Sequence, residues 1–231
     1  MKKTVAFIGA GNMGGAIVRA VCRTIEPTQA VIFNPTAAKA EALSRETGCC
    51  VASSGQEAAG MAKYVMLCVK PQVLPDVLRD LLPTLRAAAD AGERQVVVSI
   101  AAGIQLAALS GLLAEGGLDL PVIRVMPNTP VAIGEGILLM AAGGRVEEED
   151  YAGLEAILPQ CGLLERTTER YLDMGSAVAG CGPAFVYLFI EALADGGVQI
   201  GLPRPITGVN HFPTLISNVG VISLPAFPFE M

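Results

Sequence analysis

Tryptophan is absent from these 231 residues and histidine occurs once, as His211. The lone imidazole excludes His-Cys metal clusters and any Ser-His-Asp triad built outside the last stretch of chain, so no metal site is expected. Cysteine is present (Cys22, Cys49, Cys50, Cys68, Cys161, Cys181), but nowhere in C-x-x-C spacing. Adjacent Cys49 and Cys50 suit neither zinc nor a simple disulfide framework, and reduced thiols in a cytoplasmic setting are expected. Charged residues make up only 16% of the chain, with a net charge of −6 and a pI near 4.9. Without a basic face to release counterions from phosphates, nucleic acid is not an expected partner. Long apolar runs are missing too: none reaches the roughly 18 residues of a membrane span. The mean hydropathy of +0.52 is therefore assigned to buried strands and Ala-rich helices, with no membrane partner. Lys2-Lys3 and the apolar Thr4–Ile8 imitate a secretory leader, but the run stops at Gly9 and no export signal is read.

What is present is an alternation. Short apolar runs at Thr4–Ile8, Ala30–Phe33, Tyr64–Val69, Gln95–Ile100 and Val122–Met126 predict strands. Between them, Gly14–Thr24, Ala37–Thr47, Val73–Leu85 and Gln105–Ala114 carry apolar residues at three- and four-residue spacing, as crossover helices do. Further strands are expected at Ile137–Ala142 and Gly162–Thr167, with a helix after the acidic Glu147–Asp150 between them. The pattern implies an α/β fold, a Rossmann-type doubly wound parallel sheet followed by a partial all-helical domain. Boundaries are expected at 1–168 for the sheet domain and 169–204 for the start of the helical one. Within the latter, Leu172–Ala179 reads as one helix broken at Gly180-Cys181-Gly182-Pro183, with Pro183 opening a second. From Pro205 to Met231 the sequence becomes a short, apolar, proline-broken tail in which no long helix fits.

Gly9-Ala10-Gly11-Asn12-Met13-Gly14 follows a strand and opens a helix, the context in which G-x-G-x-x-G marks a dinucleotide site. Gly9 permits the tight turn, Gly11 lets backbone approach a diphosphate, and Gly14 allows close helix–strand packing, while the helix N-terminus offers N–H donors to the anion. About twenty residues further on, NAD-selective sites place a carboxylate on the ribose 2′-hydroxyl; here Asn34 stands, which does not repel a 2′-phosphate. NADP is therefore the expected cofactor, with NAD possible. Thr36 and Lys39 are placed to contact that phosphate, although Lys39 reads equally as a solvated helix residue. Three further strand ends carry motifs: Cys68-Val69-Lys70-Pro71, Ser99-Ile100-Ala101-Ala102-Gly103 and Met126-Pro127-Asn128-Thr129-Pro130. Ligands of open α/β sheets bind at such carboxyl ends.

Together with Gly180-Cys181-Gly182-Pro183-Ala184, these motifs resemble, in order and spacing, pyrroline-5-carboxylate reductase, over about residues 4–204. Asp195-Gly196-Gly197 and Gly201-Leu202-Pro203-Arg204 extend the resemblance. It implies reduction of 1-pyrroline-5-carboxylate to L-proline by NAD(P)H, the last step of proline biosynthesis. It also implies a homodimer or higher homo-oligomer, and a cofactor surrounded by Ile8–Met13, Asn34-Pro35-Thr36, Cys68–Pro71 and Ala101–Gly103. Substrate is expected at Asn128, Gly180, Gly182, Pro183 and Ala184, its carboxylate held at a helix N-terminus at Gly182-Pro183. No catalytic residue is assigned, because a protonated imine is already an electrophile and asks mainly for placement against the nicotinamide.

Two departures touch the adenosine end, where Pro35 and Gly55 replace the family's usual basic or hydroxyl residue and asparagine. A larger one follows Arg204, where the family continues with several helices and a Ser-Pro-Gly-Gly-Thr-Thr type segment. The resulting expectation is dinucleotide binding with poor imine reduction. Two other readings stay open: a non-catalytic dinucleotide-binding protein, and a β-hydroxyacid-type dehydrogenase, disfavoured because no lysine follows Lys70.

Overall fold

The protein's structure, a computed structural model, describes residues 2–207. Residues 208–231 of the proline-broken tail lie outside the described residues.

The apolar strands come first because their residues are buried on both faces, which only a sheet between two helical layers provides. Among the described residues eight strands form one sheet: β1 (Lys3–Ile8), β2 (Ala30–Phe33), β3 (Cys50–Val51), β4 (Ala62–Leu67), β5 (Val96–Ser99), β6 (Val122–Pro127), β7 (Gly136–Ala142) and β8 (Gly162–Arg166). Their order is β3-β2-β1-β4-β5-β6-β7-β8. Every pairing is parallel except β6 with β7, which runs antiparallel through the short turn Thr129–Ile133. The chain runs from β1 outward to β3, then returns to lay β4 on the other side of β1. That reversal is a topological switch point, where the crossovers above and below the sheet part and leave a crevice.

The helices are α1 (Asn12–Thr24), α2 (Ala37–Thr47), α3 (Gly55–Gly60), α4 (Leu74–Asp90), α5 (Leu106–Glu115), α6 (Glu148–Glu155), α7 (Glu169–Gln199) and α8 (Arg204–Thr207). Strand alternation separates two cores. Val5, Phe7, Tyr64, Met66 and Val98 face α1, α2 and α6 on one side. Ala6, Ile8, Val65, Leu67 and Val97 face α3, α4 and α5 on the other. This is a Rossmann-type sheet with helices on both faces.

Two expectations are corrected and two short elements are added. The predicted crossover helix Val73–Leu85 continues to Asp90 through Pro83, which lies on the exposed face of α4. The short β3 and α3 were not read from the sequence; the signal for α3 was Ser54 with Glu57 three residues on, and Ser54 Oγ does accept the Glu57 N–H at 3.0 Å. Most consequentially, the break at Gly180–Pro183 does not occur. α7 runs uninterrupted from Glu169 to Gln199 with Pro183 buried inside it. Its buried residues Leu172, Pro183, Ile190 and Ala194 recur at multiples of a helical turn, so one continuous stripe packs inward. By length and composition α7 is also apolar enough to cross a membrane, a test that the mostly buried core helix of a soluble protein passes as well. Its first turn is tied to the sheet: Arg124 in β6, 2% exposed, binds Glu169 at 2.7 Å and Asp173 at 2.9 Å. Glu169 also accepts the Leu106 N–H at the start of α5, at 2.6 Å.

Candidate dinucleotide and substrate site

The carboxyl ends of β1 and β4 meet at the switch point, and the glycine turn is built to let them meet closely. Gly9 has φ +106°, and a Cβ there would stand 2.6 Å from the Cys68 carbonyl oxygen. Only glycine fits both constraints. A Cβ on Gly14 would lie 2.8 Å from the Gly9 carbonyl oxygen, so α1 approaches β1 at a distance that excludes side chains. At Gly11 a Cβ would meet nothing within 4 Å. The space it leaves is on the open side of the turn, where a diphosphate would rest.

α1 begins without a side-chain cap, and Gly15 N–H to the Gly11 carbonyl, at 2.7 Å, is its first backbone bond. The Asn12 and Met13 N–H groups therefore point out of the first turn toward the crevice, as donors with partial positive charge. Beside the turn, a cavity of about 230 Å³ is lined by Ile8, Gly9, Phe33, Pro35, Gly55 and Val69, with Gln56 and Asp80 as the polar side chains of the lining. Its apolar walls and polar rim suit a flat base and its ribose. An uncapped helix start, an open Gly11 and this cavity together fit a dinucleotide.

Ile8, Gly9, Ala10, Gly11, Asn12, Met13, Asn34, Pro35, Thr36, Cys68, Val69, Lys70 and Pro71 all fall at this one sheet edge, and Ala101, Ala102 and Gly103 follow at the end of the neighbouring β5. Lys70 is exposed and has no ion-pair partner among the described residues. The same holds for Lys39. Burial pushes the Cys68 thiol up, so it stays protonated and serves as packing under Gly14. The Asn34 amide is engaged with backbone at both ends. Its Oδ1 accepts the Ala10 N–H at 3.0 Å and its Nδ2 donates to the Thr36 carbonyl at 3.1 Å. It braces the glycine turn from beneath.

Among the residues expected to meet substrate, the helix start is corrected. Because α7 is continuous, no helix N-terminus exists at Gly182-Pro183, and the N–H groups there lie within a helix rather than at its open end. Gly180, Gly182, Pro183 and Ala184 form one turn of α7, with Pro183 buried and Gly180 and Ala184 exposed. Asn128 is 4% exposed at the end of β6, and its amide is engaged within the chain. Nδ2 donates to the Ala179 carbonyl at 3.1 Å, and Oδ1 accepts the Ile137 N–H at 2.9 Å. Both ends of the amide are thus occupied by backbone groups of the chain. Two contributors escaped the sequence reading: Gln56, carried in by α3, and Arg124, a single charge inside the apolar run Val122–Val125, whose isolation was the available signal.

Residues 4–103 match the family described as "NADP oxidoreductase coenzyme F420-dependent", and residues 169–209 match "Pyrroline-5-carboxylate reductase dimerisation". Among curated proteins, pyrroline-5-carboxylate reductase 3 of Danio rerio is 35% identical over 204 residues, covering 87% of this chain and 67% of the relative. Pyrroline-5-carboxylate reductase of Synechocystis is 35% identical over 224 residues, covering 96% of this chain and 80% of the relative. Among solved structures, a Plasmodium falciparum pyrroline carboxylate reductase with NADP bound superposes with a TM-score of 0.79 at 28% identity, over 98% of this chain and 80% of the other.

Proposed function

The chain belongs to the pyrroline-5-carboxylate reductase family, and from that membership we infer that it reduces 1-pyrroline-5-carboxylate to L-proline with NADP(H), NAD(H) being the alternative cofactor. One observation carries the reading beyond family membership. The Gly9–Gly14 turn, closed to side chains at Gly9 and Gly14 and open at Gly11, shares a sheet edge with the α7 turn that Asn128 holds.

We assign residues 1–168 to dinucleotide binding and 169–204 to the start of the substrate and oligomerisation unit. In this assignment the Asn12 and Met13 N–H groups hold the diphosphate, and Gly55, Pro35 and Phe33 enclose the adenosine end. Ala101–Gly103 leave room for the nicotinamide against bare backbone. When bound, the cofactor supplies a hydride to the iminium carbon, whose C=N electron pair moves to nitrogen and leaves the secondary amine. The chain's part is to align the two reactants and keep water from between them. The Gly180–Ala184 turn walls the substrate side, and exposed Lys70 and Lys39 are cations available to an anionic ligand. A homodimer is the assembly we propose, formed through the exposed apolar side chains of α7, among them Met174, Val178, Phe185, Leu188 and Phe189. Six free thiols support a reducing, cytoplasmic setting.

The test is NADPH oxidation by the purified chain with 1-pyrroline-5-carboxylate, beside a dinucleotide-binding titration on the same sample. Turnover is expected under this reading. The opposing expectation of weak turnover rests on residues 205–231, of which 208–231 lie outside the described residues, and binding without turnover would favour the non-catalytic alternative.

A further inference from the structure

A proline inside a helix has no N–H to give to the carbonyl four residues earlier. In α7 that carbonyl belongs to Ala179, which is half-buried and cannot rely on water alone. The donor comes from another strand: Asn128 Nδ2 reaches the Ala179 oxygen at 3.1 Å. The other end of the same amide is fixed independently, because Oδ1 accepts the Ile137 N–H of β7 at 2.9 Å. Only one orientation of the amide satisfies a carbonyl on one side and an N–H on the other. Asn128 also stands at the end of β6, one strand from the Ala101–Gly103 turn and on the edge that carries Gly9–Gly14.

Resting on the reductase reading of this edge, we propose that Asn128 is a positioning residue: its amide replaces the hydrogen bond that Pro183 removes from α7. It thereby fixes the Gly180–Ala184 turn against the carboxyl end of β6, beside the dinucleotide crevice. Pro183 leaves Ala179 unable to close its own turn, so the helix gains its partner only by docking where the substrate wall is needed. Asn128 touches neither reactant in this arrangement and acts through the backbone of α7.

The test is a double-mutant cycle on the full chain: wild type, Asn128→Ala, Pro183→Ala and the pair. Pro183→Ala restores an N–H at position 183 that donates to Ala179, whereas loss of the Ile137 contact is common to both legs and cancels. Asn128→Ala should lower the thermal midpoint and cut kcat by about tenfold or more, as small misplacements do, with NADPH affinity within about twofold of wild type. In the Pro183→Ala background both losses should shrink. Equal losses in the two backgrounds, or a parallel collapse of NADPH affinity, would overturn the proposal. If Asn128→Ala does not fold, Asn128→Asp keeps the acceptor for Ile137, replaces the Nδ2 donor by a carboxylate oxygen whose added charge is common to both legs, and enters the same cycle. A wild type that binds NADPH without turnover would sink the reductase reading, while the thermal cycle would still decide the role of Asn128.

Discussion

At the scale of the residue, Asn34 occupies the place where an NAD-selective site sets a ribose-binding carboxylate, and the choice of an amide there has two physical readings. Facing the ribose, it would tune selectivity. Facing the glycine turn, it would hold Ala10, and its hydrogen bonds to Ala10 and Thr36 take that second direction. Loss of one such bond is worth about 1 kcal/mol, so Asn34→Ala should weaken NADPH and NADH alike, each by about fivefold, in a fluorescence titration. A loss confined to NADPH would return Asn34 to the 2′-phosphate. The glycines were legible in advance because part of their constraint is local: the positive φ at Gly9 and the approach of Gly14 to the Gly9 carbonyl belong to the turn itself, while the approach of Gly9 to Cys68 is added by β4. The direction of Asn34 was not, because it depends on where β2 lies beside β1.

At the scale of the element, α7 shows how tertiary contacts override a local signal. Gly180, Gly182 and Pro183 all disfavour a helix interior, yet the helix persists. Three things offset that cost: the inward stripe of Leu172, Pro183, Ile190 and Ala194, the Asn128 donor, and the Arg124 junction at the first turn. Glu169 serves that junction twice, pairing with buried Arg124 and accepting the otherwise open Leu106 N–H of α5. Asp173 serves it once and is half exposed to solvent. Glu169→Ala should therefore cost about 2–3 kcal/mol in urea unfolding and Asp173→Ala about 1 kcal/mol or less. Equal costs would mean that the Leu106 contact contributes nothing. Elements whose cause is periodicity, such as Ala30–Phe33 and Ala37–Thr47, were read to the residue. The short β3 and α3 were missed because two strand residues and six helical ones carry no period to detect.

At the scale of the whole molecule, the sheet buries both of its faces while α7 leaves most of its apolar surface uncovered. Phe185 and Leu188 are each 68% exposed. A monomeric protein rarely shows so contiguous an apolar face, and the match of residues 169–209 to a dimerisation family supplies the kind of cover it awaits. The wild type is expected to sediment as a dimer or larger assembly, and the double variant Phe185→Asp with Leu188→Asp to shift toward monomer. An unchanged sedimentation profile would place the interface elsewhere.

The sequence by itself determined the alternating order of strands and helices, the glycine turn and the sheet edge on which its partner motifs gather, because each follows from periodicity or from a backbone constraint a few residues long. Only the tertiary structure decided that α7 runs through Pro183, that the Asn34 and Asn128 amides each bond backbone at both ends, and that Arg124 joins sheet to helix. Those outcomes turn on donors and acceptors brought together from distant parts of the chain. A polar side chain's partner is set by what packs against it, and no local spacing records that.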